Sequence, residues 1–160
     1  MERWRTIVEL TGILAVVASL VFVGIETQNS TKQAILNTQA LEIASYQELI
    51  DSILELNSQA FSDPEVAALM YKAYRTDEKL TELEHFRFSR ALFSRFRLGD
   101  IAYFQYQRGA IDEERLRSVL RIINMGNPRV KTFWAQYRPN FANSYAAYID
   151  QAIVEEEAGL

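Results

Sequence analysis

Residues 10–25 (LTGILAVVASLVFVGI) run for sixteen positions without a charge, interrupted only by Thr11 and Ser19. At 1.5 Å per residue a helix over this run covers roughly 24 Å, short of the ~30 Å hydrocarbon core, so spanning a bilayer also needs Ile7 and Val8 and snorkelling flanks. A run of this length also fits a buried core helix. The flanks decide: Trp4 sits between Arg3 and Arg5, an interfacial aromatic with two cations at the N-terminal end only. A cleaved signal peptide should end in small residues, whereas this run ends in VFVGIETQN. We therefore read residues 1–27 as an uncleaved transmembrane anchor and 28–160 as a helical domain whose first helix is long. After Arg5 the next cation is Lys32, and residues 33–71 carry none, so the N-terminus is expected in the cytoplasm and the rest across the inner membrane, periplasmic in a Gram-negative host.

Residues 26–61 contain no Gly or Pro, and Leu36, Ala40, Ile43, Gln47, Ile50, Leu54, Asn57 and Phe61 recur at alternating spacings of four and three. That is helical spacing. Tyr46, Leu49, Ile53 and Leu56 widen the stripe, which points to packing against a domain as well as, or instead of, pairing in a coiled coil. Six Gly and three Pro in 160 residues leave little turn material for a many-stranded β fold. Punctuation then divides the remainder. Ser62 with Glu65 has capping-box spacing and starts a helix to about Arg75; Thr81 with Glu84 starts another, to a stop at Gly109. Asp112 caps a helix to about Met125, residues 129–137 form a short one, and a last helix begins near Asn140 after Pro139. Its acidic end, Glu155, Glu156 and Glu157, opposes the helix dipole and is expected to fray. The fold class expected is all-α, one N-terminal transmembrane helix followed by a bundle of about five helices.

Four segments carry a resemblance: V-G-I-E-x-Q-N-S-T at 23–31, R-A-L-F-x-R-F at 90–96, D-I-A-Y-F-Q-Y-Q-R-G-A-I-D-E-E at 100–114 and F-W-x-x-Y-R-P-x-F at 133–141. The chain resembles, over nearly its whole length, a group of small bacterial single-pass membrane-anchored helical proteins. The resemblance implies that architecture and a bacterial source, and it implies no activity. Where such relatives often read Y-Y-Q-Y, this chain has Tyr103-Phe104-Gln105-Tyr106, a conservative departure.

Chemistry-bearing motifs are few. There is no Cys, which excludes disulfides and thiolate metal sites, and there is one His, which removes most His-based catalysis. Glu82-x-x-His85 has the spacing of di-metal helical sites, but those need two such motifs and two more Glu; an acid in a capped first turn is the simpler reading. A serine hydrolase would need His85 as base, and neither a G-x-S-x-G elbow nor a Gly-rich phosphate loop occurs. No cofactor is expected.

Charge is distributed unevenly. Residues 1–66 sum to −6, 67–138 to +6 and 139–160 to −4. Arg87, Arg90, Arg97 and Arg108 share one helical face, with Phe86, Phe93 and Phe104 on a neighbouring one. This strip is a candidate for anionic lipid headgroups or an acidic partner, set against pairing within the fold, with the acidic first helix, or plain solvation. Asp100 falls between Phe93 and Phe96 on the helix and, if buried, needs an Arg or Tyr partner. Phe133, Trp134, Tyr137, Phe141, Tyr145 and Tyr148 read mainly as core. In the anchor, Gly12, Ala15 and Ser19 put small side chains on one face, extended by Glu9 and Glu26, which permits close helix approach; Glu9 alternatively contacts Arg5 or snorkels.

Two function classes follow. The first is a non-enzymatic interaction, accessory or assembly subunit at a bacterial membrane, with the lipid bilayer and a homo-oligomer or larger complex as partners and no nucleic acid. The alternative is a membrane-tethered sensor or small-molecule binder with an aromatic pocket, for instance one lined by Phe93, Tyr103 and Trp134.

Overall fold

The absence of Gly and Pro from residues 25–63 lets one helix, α1 (Glu2–Ser62), run without a break. The structure is a computed structural model. It describes residues 2–158, without the side chains of Glu2, Arg5, Thr6, Val8, Gln59, Ala60 and Phe61. All regular structure in the described residues is helical: α1, α2 (Pro64–Arg75), α3 (Glu82–Gln107), α4 (Glu113–Leu120), α5 (Pro128–Tyr137) and α6 (Asn143–Ala158), with 3-10 turns at Arg121–Ile123 and Arg138–Asn140. The chain divides into two compact units, Met1–Leu41 and Glu42–Leu160.

In the first unit α1 is long and apolar enough to cross a membrane. Its large apolar side chains, from Leu10 through Leu14, Val17 and Phe22 to Ile25, are all half exposed or more. The Thr11 hydroxyl donates to Ile7 O at 2.8 Å, so this one of the two polar side chains inside the apolar run is satisfied by its own helix.

In the second unit α3 is the central helix and contacts α2, α4, α5 and α6. Its buried side chains include Phe88, Leu92, Phe96 and Ala102, spaced by four, four and six so that one face points inward. Around them lie Leu69 and Ala73 of α2, Leu116, Val119 and Leu120 of α4, Val130, Phe133 and Trp134 of α5, and Tyr145, Ala146 and Ile149 of α6. The α1 residues that join this core are Leu49, fully buried, and Tyr46, Ile53 and Leu56. The other stripe, represented by Ile43 and Leu54, stays exposed, so the flanking stripe rather than the longer one is the packing face; Phe61 lies outside the described side chains.

Gly99 explains how closely α3 is approached. A methyl there would collide with Tyr145 Oη and come within 2.8 Å of Leu120 Cδ2, so only a residue without a side chain lets α4 and α6 pack at this level. At the end of α3, Gly109 adopts φ +73°. Its N–H reaches Tyr106 O and the Ala110 N–H reaches Gln105 O, both at 2.9 Å, the two bonds of a Schellman cap.

Several boundaries differ from the sequence expectation. Asp63, not Ser62, caps α2: Pro64 forces the residue before it into extended backbone (φ −109°, ψ 112°), and the Asp63 carboxylate then accepts from the Glu65 and Val66 N–H groups. Ser62 is still helical and donates to Ser58 O. α4 stops at Leu120 rather than near Met125, because the chain tightens into a 3-10 turn that Asn124 ends at φ 56°, a left-handed conformation Asn tolerates. Pro139 keeps residues 138–140 in a 3-10 turn and delays α6 to Asn143. The acidic end of α6 remains helical to Ala158: Glu155 pairs with Arg117 and Glu157 with Lys131, cations from α4 and α5 that offset the unfavourable dipole.

Thr81 and Asp112 cap α3 and α4 as their spacing predicts, with the Thr81–Glu84 box complete. The Thr81 backbone N–H, followed by Lys72, holds the Glu84 carboxyl below the usual carboxylate range.

Candidate functional site

α3 turns a second face outward, and it is not polar. Leu83, Phe86, Ile101 and Phe104 are each more than half exposed. Leu83, Arg87, Arg90, Ser94, Arg97, Ile101, Phe104 and Arg108 alternate by four and three residues, which lines them up along the helix, with Phe86 and Phe93 beside them. The strip is therefore apolar and cationic at once, running the length of α3.

The four arginines differ in what they touch. Arg97 is structural: its Nη1 donates to Asp100 Oδ2 at 3.0 Å, its Nη2 to Asn140 O at 2.7 Å, and its guanidinium lies 4.6 Å from the Phe141 ring centre. Asp100 thereby has the Arg partner its position called for. Arg87 reaches Glu65 of α2 at 3.4 Å, an exposed pair of little energetic weight. Arg90 lies 5.6 Å from the Phe93 ring centre and Arg108 5.2 Å from that of Phe104. Neither has an ion-pair partner among the described residues. Among the described residues the ion-pair partners of this strip are thus on α2 and α3 rather than on the acidic first helix.

Gly12, Ala15 and Ser19 are exposed on α1, as is Glu9; the expected Arg5–Glu9 contact rests on a side chain outside the described ones. Phe93, Tyr103 and Trp134 pack onto other rings rather than around a common cavity: Phe93 on Tyr137 and Phe141, Tyr103 on Tyr145 and Tyr148, Trp134 on Phe96. Phe133, Trp134, Phe141 and Tyr145 are buried core, and Tyr137 and Tyr148 flank them. The Trp134 indole N–H donates to Asp150 Oδ1 at 2.8 Å, satisfying the one polar atom of that buried ring. Among the described residues the Tyr145 hydroxyl has no hydrogen-bond partner, and burial, reinforced by the Asp100 charge, pushes its pKa far up.

Three features lay outside the sequence reading. Arg95 is buried on α3, with one hydrogen bond, to Ala91 O at 3.2 Å. Burial raises the nearby Tyr74 hydroxyl, and the Arg95 charge opposes that rise. Arg129 closes the C-terminal end of α2, donating to the carbonyls of Lys72 (3.1 Å), Ala73 (2.7 Å), Thr76 (2.8 Å) and Glu78 (2.6 Å). Beside it, the α2–α3 loop, the first turns of α3 and one face of α5 border a solvent-open cavity of about 310 Å³. Asp77, His85 and Ser89 line its wall, but among the described residues no hydrogen bond joins them, so no nucleophile–base pair is formed. None of these contacts has a local signature, since each links positions far apart in sequence or depends on which way a helix face turns.

Compared with known proteins, the chain matches no protein-family profile, no curated protein and no solved structure.

Proposed function

We propose that this chain is a non-enzymatic interaction or accessory subunit of a bacterial membrane, a single membrane helix carrying a helical bundle that docks a partner through the exposed face of α3. The observation that carries the reading is the strip itself: four large apolar side chains more than half exposed, interleaved with arginines of which Arg90 and Arg108 lie over phenylalanine rings. Arginine and aromatic residues are the types enriched at the centres of protein interfaces, and a face that was only solvated would not hold Phe86 and Phe104 in water. The partner surface is then acidic and apolar. The exposed run 10–25 and the Arg3–Trp4 flank support anchoring with the N-terminus in the cytoplasm and the domain periplasmic.

The test is quantitative co-purification of the full chain from native membranes in mild detergent, wild type against R90E/R108E and F104S. A defined protein that is recovered stoichiometrically with wild type and lost from both variants, while the variants remain folded and membrane-bound, supports the reading. The same proteins at the same stoichiometry with all three chains would refute it. Alkaline phosphatase fused after residue 160 should be active; an inactive phosphatase with a fluorescent cytoplasmic fusion refutes the topology.

A further inference from the structure

We propose that the cavity beneath the α2–α3 loop binds a small organic acid with an apolar body. Its floor is Phe88 and Phe133, both buried, with Leu80 at the edge, and its rim carries Lys79 and His85. At about 310 Å³ it falls in the size range of small-ligand sites. It is also preformed. Arg129 ties the loop carbonyls of Thr76 and Glu78 to α5, fixing the segment that brings Lys79 and Leu80 to the wall.

The observation that points to a ligand is Ser89. Some hydroxyls on these helices, those of Thr11, Thr27, Ser52, Ser62, Ser94 and Thr132, turn back onto the carbonyl four residues earlier and are satisfied there. Ser89 is only 6% exposed, lines the cavity, and makes no hydrogen bond among the described residues. Its hydroxyl is open to the cavity rather than sealed in the core, so a carboxylate oxygen entering there can accept a hydrogen bond from it with no protein group to displace. Charge selects the same group. The wall offers Lys79 and Arg129, with one acid, Asp77, opposing them, so an anion is favoured over a neutral molecule of equal shape. The phenyl floor takes the apolar remainder of the molecule.

The test uses the full chain in nanodiscs of zwitterionic lipid, titrated with 3-phenylpropionate and its neutral isostere 3-phenylpropanamide and followed by ligand-observed NMR. The acid should bind in the millimolar range or tighter, and the amide at least about tenfold more weakly. Ser89→Ala should weaken the acid about tenfold without lowering Tm, because the hydroxyl has no partner to lose. Gln136→Trp, at the exposed rim, should fill the mouth and abolish binding of both probes, which gives a second readout independent of the buried position. Equal affinity for acid and amide, binding unchanged in both variants, or no binding of the acid at any concentration up to 10-fold above the millimolar range would overturn the proposal.

Discussion

Arg138 and Asp150 meet side by side, Nε to Oδ2 at 2.8 Å and Nη2 to the same oxygen at 2.7 Å, and so join the end of α5 to the middle of α6. Trp134 donates to the other carboxylate oxygen. The Arg138 hydrogen bond, aided by Trp134, holds the Asp150 carboxyl below the usual carboxylate range.

Asp150→Asn should therefore lower stability at neutral pH by about 1 kcal/mol, a modest figure because both side chains of the ion pair are partly hydrated. The sign of the pH dependence follows from a depressed native pKa. The contribution is present above the unfolded Asp pKa of about 3.9 and disappears as pH falls through the native value. Urea titrations of wild type and variant should differ at pH 7 and converge in acid; a constant difference would contradict the assignment.

Arg129→Met keeps the apolar stem and removes the guanidinium that four carbonyls share. We expect a loss of about 2–3 kcal/mol, in line with charge-assisted hydrogen bonds to carbonyls of which only that of Lys72 has another donor, Thr76, among the described residues. Lysine, with one ammonium, should recover only part of it. Chemical denaturation measures the loss, and limited proteolysis should show faster cleavage between residues 76 and 81.

Gly99→Ala should cost about 1–3 kcal/mol by overpacking against Tyr145 and Leu120. Tyr145→Phe removes the atom of closest collision, a hydroxyl that is buried without a partner, and should be neutral or stabilising alone. In the double variant the loss should shrink, so Tm values of the four proteins form a cycle with favourable coupling. Strict additivity would mean that α3 and α6 move apart instead. Because burial raises the Tyr145 pKa, its contribution is whole below the unfolded phenol value of about 10 and declines as pH rises above it. Tyr145→Phe should therefore resist alkaline unfolding better than wild type.

Thr81→Ala breaks the capping box and should destabilise by about 1 kcal/mol. The helical signal at 222 nm and Tm together check it; a loss no greater than that of an exposed mid-helix substitution would show the cap to be idle.

Local chemistry made most of the helices legible. Thr81, Asp112 and Gly109 mark boundaries by mechanisms that act within four or five residues, and the structure has them where the spacing puts them. Where two local rules competed, the stronger steric one won: Ser62 offered a hydroxyl, but Pro64 dictated the backbone of Asp63. The choice between the Ile43 and Tyr46 stripes of α1 was not local at all, since it depends on which face meets Leu49's neighbours in the core. The arginine strip was visible as a period, whereas its division into a structural Arg97 and ring-stacked Arg90 and Arg108 needed Asn140 and Phe141, some forty residues on. The Ser89 cavity had no signature, being assembled from a loop and two helices whose residues carry no shared motif.

The Arg129 clasp also sets an order of events. Thr76 satisfies the Lys72 carbonyl locally, but the carbonyls of Ala73, Thr76 and Glu78 accept from a side chain 51 to 56 residues downstream, so during synthesis they face water until α5 is made and has found α3. Formation of α2 and of the loop after it is thus coupled to a contact of long sequence separation, which slows its arrival and makes the domain close as one cooperative unit. A nascent chain halted before residue 129 lacks the clasp on residues 73–78, and that loop should stay open to proteases until α5, and then α6 with Tyr145 and Ile149, complete the core.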